Sequence, residues 1–211
     1  GWSTRTTTKK KKIIPLGLIS NNWGGTPIEL WQPGGTLYNA MIYPYMVGPM
    51  SLTGFAWYQG EANARGTEAT AYATKFPNMI TSWRNGFQNP KAYFGFIQLS
   101  TWCPDNDDPK NNPQGPLAVP ELRQSQMAAY LSLEKIGYAT NADHGAQCNI
   151  HPPNKQYCGK RLGQSALALQ YQQDDVLWKS PTYAGTATTT TTTSSSAISR
   201  LGSSSSSSSS S

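Results

Sequence analysis

Hydrophobic and polar positions divide the chain into a patterned middle and two unpatterned ends. In the middle, short apolar runs alternate with stretches whose apolar residues recur every three or four positions. The run at 13–19 (IIPLGLI), closed by the polar, glycine-bearing loop 20–26, predicts a buried strand. Thr26 and Pro27 have the chemistry of a helix start, so a short helix is expected to Trp31. Residues 38–47 are apolar with Pro44 inside, which predicts a short or broken helix. The run 52–56 reads as a second strand. Tyr72, Phe76, Met79, Ile80 and Trp83 have helical spacing over 67–84, with a kink or restart at Pro77 and a stop at Gly86. A strand over 93–99, a loop over 101–118, a helix over 119–132 and a strand over 136–140 follow. A last helix opens at Pro153 or Asn154 and runs to about Tyr171.

Strands that alternate with helices predict a three-layer α/β domain with a mostly parallel sheet. About four strands are visible, few for such a sheet, so the domain is expected to be incomplete in this chain.

Composition alters the picture at the ends. Residues 1–12 and 186–211 are runs of Thr, Ser and Lys that cannot bury enough apolar surface to offset chain entropy. They read as low-complexity or placeholder sequence, leaving 13–185 as the domain. Six of the 17 basic residues (Arg5, Lys9, Lys10, Lys11, Lys12 and Arg200) lie in these ends, so 11 basic residues face 11 acidic ones between them. The high net charge is therefore a property of the tails. Without a basic stripe in the domain, nucleic acid is not an expected partner. No apolar stretch is long enough to span a membrane. Cys103, Cys148 and Cys158 have no zinc-type spacing and no metal is expected. Either one disulfide with one free thiol or three free thiols fits them.

Four places carry candidate chemistry. In 20–26, Trp23 precedes Gly24 and Gly25, and paired glycines after a strand let backbone N–H groups approach an anion. In Trp57-Tyr58-Gln59-Gly60-Glu61-Ala62-Asn63, an asparagine at a strand end is placed to aim its amide at an oxyanion. His151 follows the strand at 136–140, with Asp143 as the nearby acid, and an imidazole held by a carboxylate is the usual partner of a serine nucleophile. Arg123 near the start of a helix either binds a substrate carboxylate or braces a loop. Trp23, Trp57, Tyr58 and Trp102 are aromatics able to stack on a flat ligand face or to fill the core.

Several words in fixed order carry a resemblance. IPLGLISNNWGGTPIELW (14–31), LYNAMIYP (37–44), WYQGEANA (57–64), FPNMITSWRNGF (76–87), FIQLS (96–100), LRQSQ (122–126) and IHPPNKQYCGKRLGQSALAL (150–169) resemble the sialate O-acetylesterase and acetylxylan esterase family of SGNH hydrolases. The resemblance covers nearly all of 13–185. It implies a flavodoxin-like SGNH fold and removal of O-acetyl groups from sugars, without a cofactor, by secreted or lysosomal proteins. It maps Gly24 or Gly25 and Asn63 to the oxyanion donors, His151 to the base and Asp143 to the acid. Trp23, Trp57, Gln59, Glu61 and Arg123 are the expected sugar contacts. Two other positions where relatives carry the acid hold Cys148 and Asn149.

One part of the family pattern is missing. No Gly-Gln-Ser-Asn-type nucleophile word precedes the glycine loop. The serine is therefore expected on another segment or a second chain. The alternative is a non-catalytic structural or binding protein on an esterase fold.

Overall fold

Three apolar runs become strands: β1 (Gly54–Trp57), β2 (Tyr93–Gln98) and β3 (Ile136–Thr140). The computed structural model describes residues 17–48, 50–103 and 117–179. The strands form a parallel sheet in the order β1-β2-β3, with Phe94 aligned with Phe55 on one side and Ile136 on the other. Parallel neighbours need long crossovers. Helix α2 (Gly66–Gly86) lies between β1 and β2, and α3 (Val119–Ser132) between β2 and β3. Helix α4 (Gln156–Leu169) follows β3. These elements belong to the unit Gly1–Ser180; Pro181–Ser211 lies outside the described residues.

Alternation along β2 builds the layers. Phe94 and Phe96 stand on one face, where both meet the Phe76 ring of α2 at centroid distances of 5.8 and 5.4 Å. Tyr93, Gly95 and Ile97 stand on the other. There the Tyr93 hydroxyl meets Ser165 Oγ of α4, and a Cβ on Gly95 would lie 2.8 Å from Leu162 Cδ1. Glycines at 95 and 137 thus let α4 sit close to the sheet, where Ile97, Ala139 and Cys158 form a small second apolar cluster. The result is the expected three-layer α/β arrangement.

The helices follow their apolar spacing. In α2, Tyr72, Phe76, Met79 and Ile80 are fully buried, and their packing carries the helix through Pro77 without a restart. The proline removes one backbone donor, a cost that the buried face offsets. Pro44 lies in the first turn of α1 (Tyr43–Val47), where its missing N–H costs nothing, after a π-helical turn at Tyr38–Ile42. Asn154 Oδ1 accepts the Gln156 N–H at 3.1 Å and so caps α4. Between Thr26 and Trp31 the chain makes a 3-10 turn, Ile28–Trp31.

The first expected strand is a correction. Residues 13–16 lie outside the described set. Gly17 to Ser20 pair with no strand among the described residues, and Leu18 is 87% exposed. An apolar run becomes a strand only with a neighbour for its backbone. The loop expected over 101–118 is described only at its ends.

A buried glutamine joins the strand ends. Gln126 of α3 is fully buried and donates through Nε2 to Gln59 O (3.2 Å) and Ile97 O (3.1 Å), while its Oε1 accepts the Leu99 N–H (3.4 Å). It completes backbone pairing that the sheet does not supply past β1 and β2. Gln126→Leu keeps the volume and strands these groups, so it is expected to lower unfolding free energy by about 2–4 kcal/mol. A urea midpoint unchanged from wild type would show that the amide is not needed there.

Candidate active site

The site is assembled at the C-terminal ends of the strands, where open α/β sheets bind ligands. Its first wall is the loop 20–27. Thr26 Oγ1 donates to Trp23 O (2.8 Å) and accepts from Trp31 Nε1 (3.0 Å), closing the turn over Gly24 and Gly25. Gly25 has φ of +69°, a backbone region that disfavours side chains.

A chain of buried polar groups fixes that loop to the end of β1. Trp57 Nε1–H donates to the Tyr72 hydroxyl (3.1 Å), which donates to Gln59 Oε1 (2.9 Å). Gln59 Nε2 donates to Thr26 O (3.0 Å) and to Asn63 Oδ1 (2.9 Å). Asn63 Oδ1 also accepts the Ile28 N–H (2.8 Å), and Asn63 Nδ2 donates to Glu29 Oε2 (3.1 Å). Lys75 Nζ then joins Glu29 and Glu68, at 2.5 Å each. Burial alone would raise the Glu29 carboxyl. Its bonds from Lys75, the backbone and Asn63 outweigh that and hold it below the usual range. Burial pushes the Tyr72 hydroxyl strongly up, so it stays a neutral donor.

The opposite wall carries His151. A disulfide joins Cys103, just after β2, to Cys148, and Thr101 Oγ1 donates to Gln147 O at 2.5 Å. Asn149 Oδ1 accepts the His151 backbone N–H at 2.9 Å, and Ile150 is buried. The imidazole itself lies on an exposed residue at the cleft. Tyr58 forms the floor near β3. Its hydroxyl accepts from Asn141 Nδ2 (3.2 Å) and Lys155 Nζ (3.4 Å), and burial pushes it up to about 12.

These walls enclose a cleft of about 390 Å³. Trp23, Gly24, Gly25, Gln59, Glu61 and His151 all line it, so the structure brings six of the expected residues together. Trp57 lies deeper, 7% exposed, and borders an adjoining hollow of about 350 Å³. Asn63 lies beneath the lining at 1% exposure, with its amide N–H turned to Glu29.

Two expected residues stand elsewhere. Asp143 is not brought to His151: its two oxygens accept from Arg161 Nη1 (2.6 Å) and Nη2 (2.7 Å). That guanidinium also donates to Thr140 O (2.8 Å), which fixes the pair to the end of β3. The histidine whose charge bears on Asp143 is His144. Arg123 reaches Leu99 O at 3.5 Å from α3 and does not line the cleft, which is the bracing alternative. Sequence reasoning missed Arg65, which does line it, and the Glu29–Lys75 pair behind Asn63. Glu29 was within a quoted word, while Arg65 had no signal beyond its place before a helix. Among the described residues no cluster of His, Cys, Asp and Glu could hold a metal ion, and no helix is long and apolar enough to cross a membrane.

Residues 3–167 match the family model for carbohydrate esterases described as sialic acid-specific acetylesterases. The human sialate O-acetylesterase is 30% identical over 208 residues, covering 79% of this chain and 38% of the human protein. The rat protein of the same name is 27% identical over 235 residues and is covered to 42%. A crystal structure of a carbohydrate acetylesterase from Xanthomonas citri superimposes with a TM-score of 0.62 at 33% identity, over 72% of this chain and 36% of that one. The chain thus spans about two fifths of the length of the curated relatives it matches.

The Asp143–Arg161 pair has a testable pH signature. The Arg161 hydrogen bonds hold the Asp143 carboxyl below its usual range despite the smaller opposing effect of burial. The pair therefore stabilises the fold above that range and loses its contribution as pH falls through the depressed value. Wild type is expected to exceed Asp143→Asn in urea midpoint at neutral pH and to converge with it in the acid limb. A gap that stays constant as pH falls would show that the carboxylate charge contributes nothing.

Proposed function

The chain belongs to the sialic acid-specific carbohydrate acetylesterase family, and from this we propose that it supplies the base, the oxyanion donors and the sugar cleft for hydrolysis of O-acetyl esters on sugars. Its fold is the three-layer, flavodoxin-like SGNH type. One observation carries the reading: the glycine loop, the Gln59–Glu61 turn and His151 line a single cleft.

In the proposed mechanism, a serine hydroxyl attacks the acetyl carbonyl and gives its proton to the His151 imidazole. The tetrahedral intermediate expels the sugar oxygen, which takes that proton back. Water, deprotonated by His151, then releases acetate from the acyl-serine. Backbone N–H groups at Gly24 and Gly25 face the oxyanion. Asn63 supports them from beneath the lining, accepting the Ile28 N–H and donating to Glu29. Each oxyanion donor is worth roughly 3–4 kcal/mol. Asp143 acts on His151 only indirectly, by fixing through Arg161 the loop that leads to it. Exposed Trp23 offers a flat face to the sugar.

No serine among the described residues lines the cleft with His151. The nucleophile is therefore assigned to a segment outside the described residues or to a second chain. An apolar groove of about 150 Å³ between residues 17–21 and β1 supports a strand-like docking place for it, since β1 pairs on one side only among the described residues and Ala56 is exposed. The Cys103–Cys148 disulfide supports a secreted or lysosomal location, since such bonds persist in oxidising compartments.

The rival reading, a non-catalytic binding protein, is favoured by the commitment of Asp143 to Arg161. The assay is acetate release from an acetylated sugar by the complete natural protein or complex, with and without a serine-directed organophosphonate. Turnover with a labelled serine is expected, and His151→Ala is expected to lower kcat by about a thousandfold. Neither turnover nor label anywhere in the assembly would leave the binding protein.

A further inference from the structure

We infer that the Tyr58 hydroxyl donates a hydrogen bond to a hydroxyl oxygen of the bound sugar, and so helps to decide which sugars the cleft accepts. The inference rests on the sugar-esterase reading of the cleft and adds a specificity-determining residue to it. Tyr58 is half-buried and lines both the His151 cleft and the adjoining hollow.

A phenol hydroxyl has one proton to give and lone pairs to accept with. Asn141 Nδ2, on a fully buried residue just after β3, donates to the Tyr58 oxygen at 3.2 Å, and Lys155 Nζ, just before α4, donates to it at 3.4 Å. Both lone pairs are thus engaged, while the O–H donates to no protein group among the described residues. Asn141 Oδ1 does not take the proton, because the amide turns Nδ2 toward Tyr58; that oxygen is buried without a partner. Burial pushes the hydroxyl up to about 12, so it keeps its proton at neutral pH. The ring is less available than the hydroxyl, since Lys155 Nζ lies 4.7 Å from its centre and covers that face. Neighbouring donors are spent: Gln59 Nε2 on Thr26 O and Asn63 Oδ1, and Thr26 Oγ1 on Trp23 O. The Tyr58 oxygen is therefore held by two bonds with its proton left for the cleft, and little ordering is lost when a ligand takes it. A sugar hydroxyl is a neutral oxygen acceptor of the matching kind.

The test is an NMR titration of the full chain with N-acetylneuraminic acid, a sialic acid, and with its monodeoxy analogues, each lacking one hydroxyl. Wild type is expected to bind one analogue about tenfold more weakly than the parent sugar. Tyr58→Phe keeps the ring and its Lys155 contact. It is expected to bind the parent sugar about tenfold more weakly and to be indifferent to loss of that same hydroxyl. Fluorotyrosine at position 58 keeps both accepted bonds and makes the O–H a stronger donor, so it is expected to bind the parent sugar about twofold more tightly. Deoxy penalties that are the same in wild type and Tyr58→Phe overturn the inference and would make Tyr58 only a brace between Asn141 and Lys155. So does a parent-sugar affinity unmoved by both substitutions, and so does failure of the parent sugar to bind wild type. Binding needs no serine, so the esterase reading stands or falls separately, on turnover and on the serine label.

Discussion

Two buried side-chain amides, Gln59 and Asn63, hold the glycine loop against the end of β1. Nothing in the sheet itself does this, because residues 17–27 form no ladder with β1 among the described residues. The amides substitute for that ladder. Asn63 Oδ1 accepts the Ile28 N–H, one of the donors that a helical turn leaves unpaired at its start, and Gln59 accounts for Thr26 O. Such groups are costly to bury unpaired, so the two side chains and the loop hold one another in a single arrangement. The chain of bonds continues to Trp57 through Tyr72 and to Lys75 through Glu29, tying the loop to both β1 and α2.

The same end of the sheet is secured from the α3 side. Gln126 satisfies Gln59 O, Ile97 O and Leu99 N, and Gly60 allows the approach: with φ of +149° it turns the chain, and a Cβ there would lie 2.5 Å from Leu122 Cδ2. The His151 loop is secured differently, by the disulfide and by short-range backbone and side-chain bonds. One wall of the cleft is thus built of buried amides packed into the core. The other is an exposed loop fixed by a covalent bond. The proposed base stands on the disulfide-tied loop, and the proposed oxyanion donors stand on the wall of buried amides, as preorganised transition-state stabilisation would require.

Much of the fold was legible because burial leaves a period. The bounds of α3 and β3 follow from their apolar spacing, and α2 from Tyr72, Phe76, Met79, Ile80 and Trp83. The described part of the run at 13–19, residues 17–19, forms no ladder among the described residues, because an apolar stretch does not reveal whether a partner strand lies beside it. The site was legible as a set of words but not as contacts. Spacing put Asp143 eight residues before His151, yet the direction of its side chain depends on Arg161, which lies 18 residues further on in α4. Arg123 and Arg65 each lie near the start of a helix. Packing of α3 against the strand ends brings Arg123 to Leu99 O, while Arg65, at the start of α2, lines the cleft.

The Ile28 amide reports most directly on the central claim that Asn63 fastens the glycine loop. Native-state hydrogen exchange is expected to find Ile28 N–H strongly protected in the wild-type chain, although it lies in a short connecting turn. Asn63→Ala is expected to speed its exchange about ten- to hundredfold while amides in the middle of β2 stay protected. An Ile28 amide that exchanges in wild type as fast as that of exposed Gly24, or that is unaffected by loss of Asn63, would contradict the account.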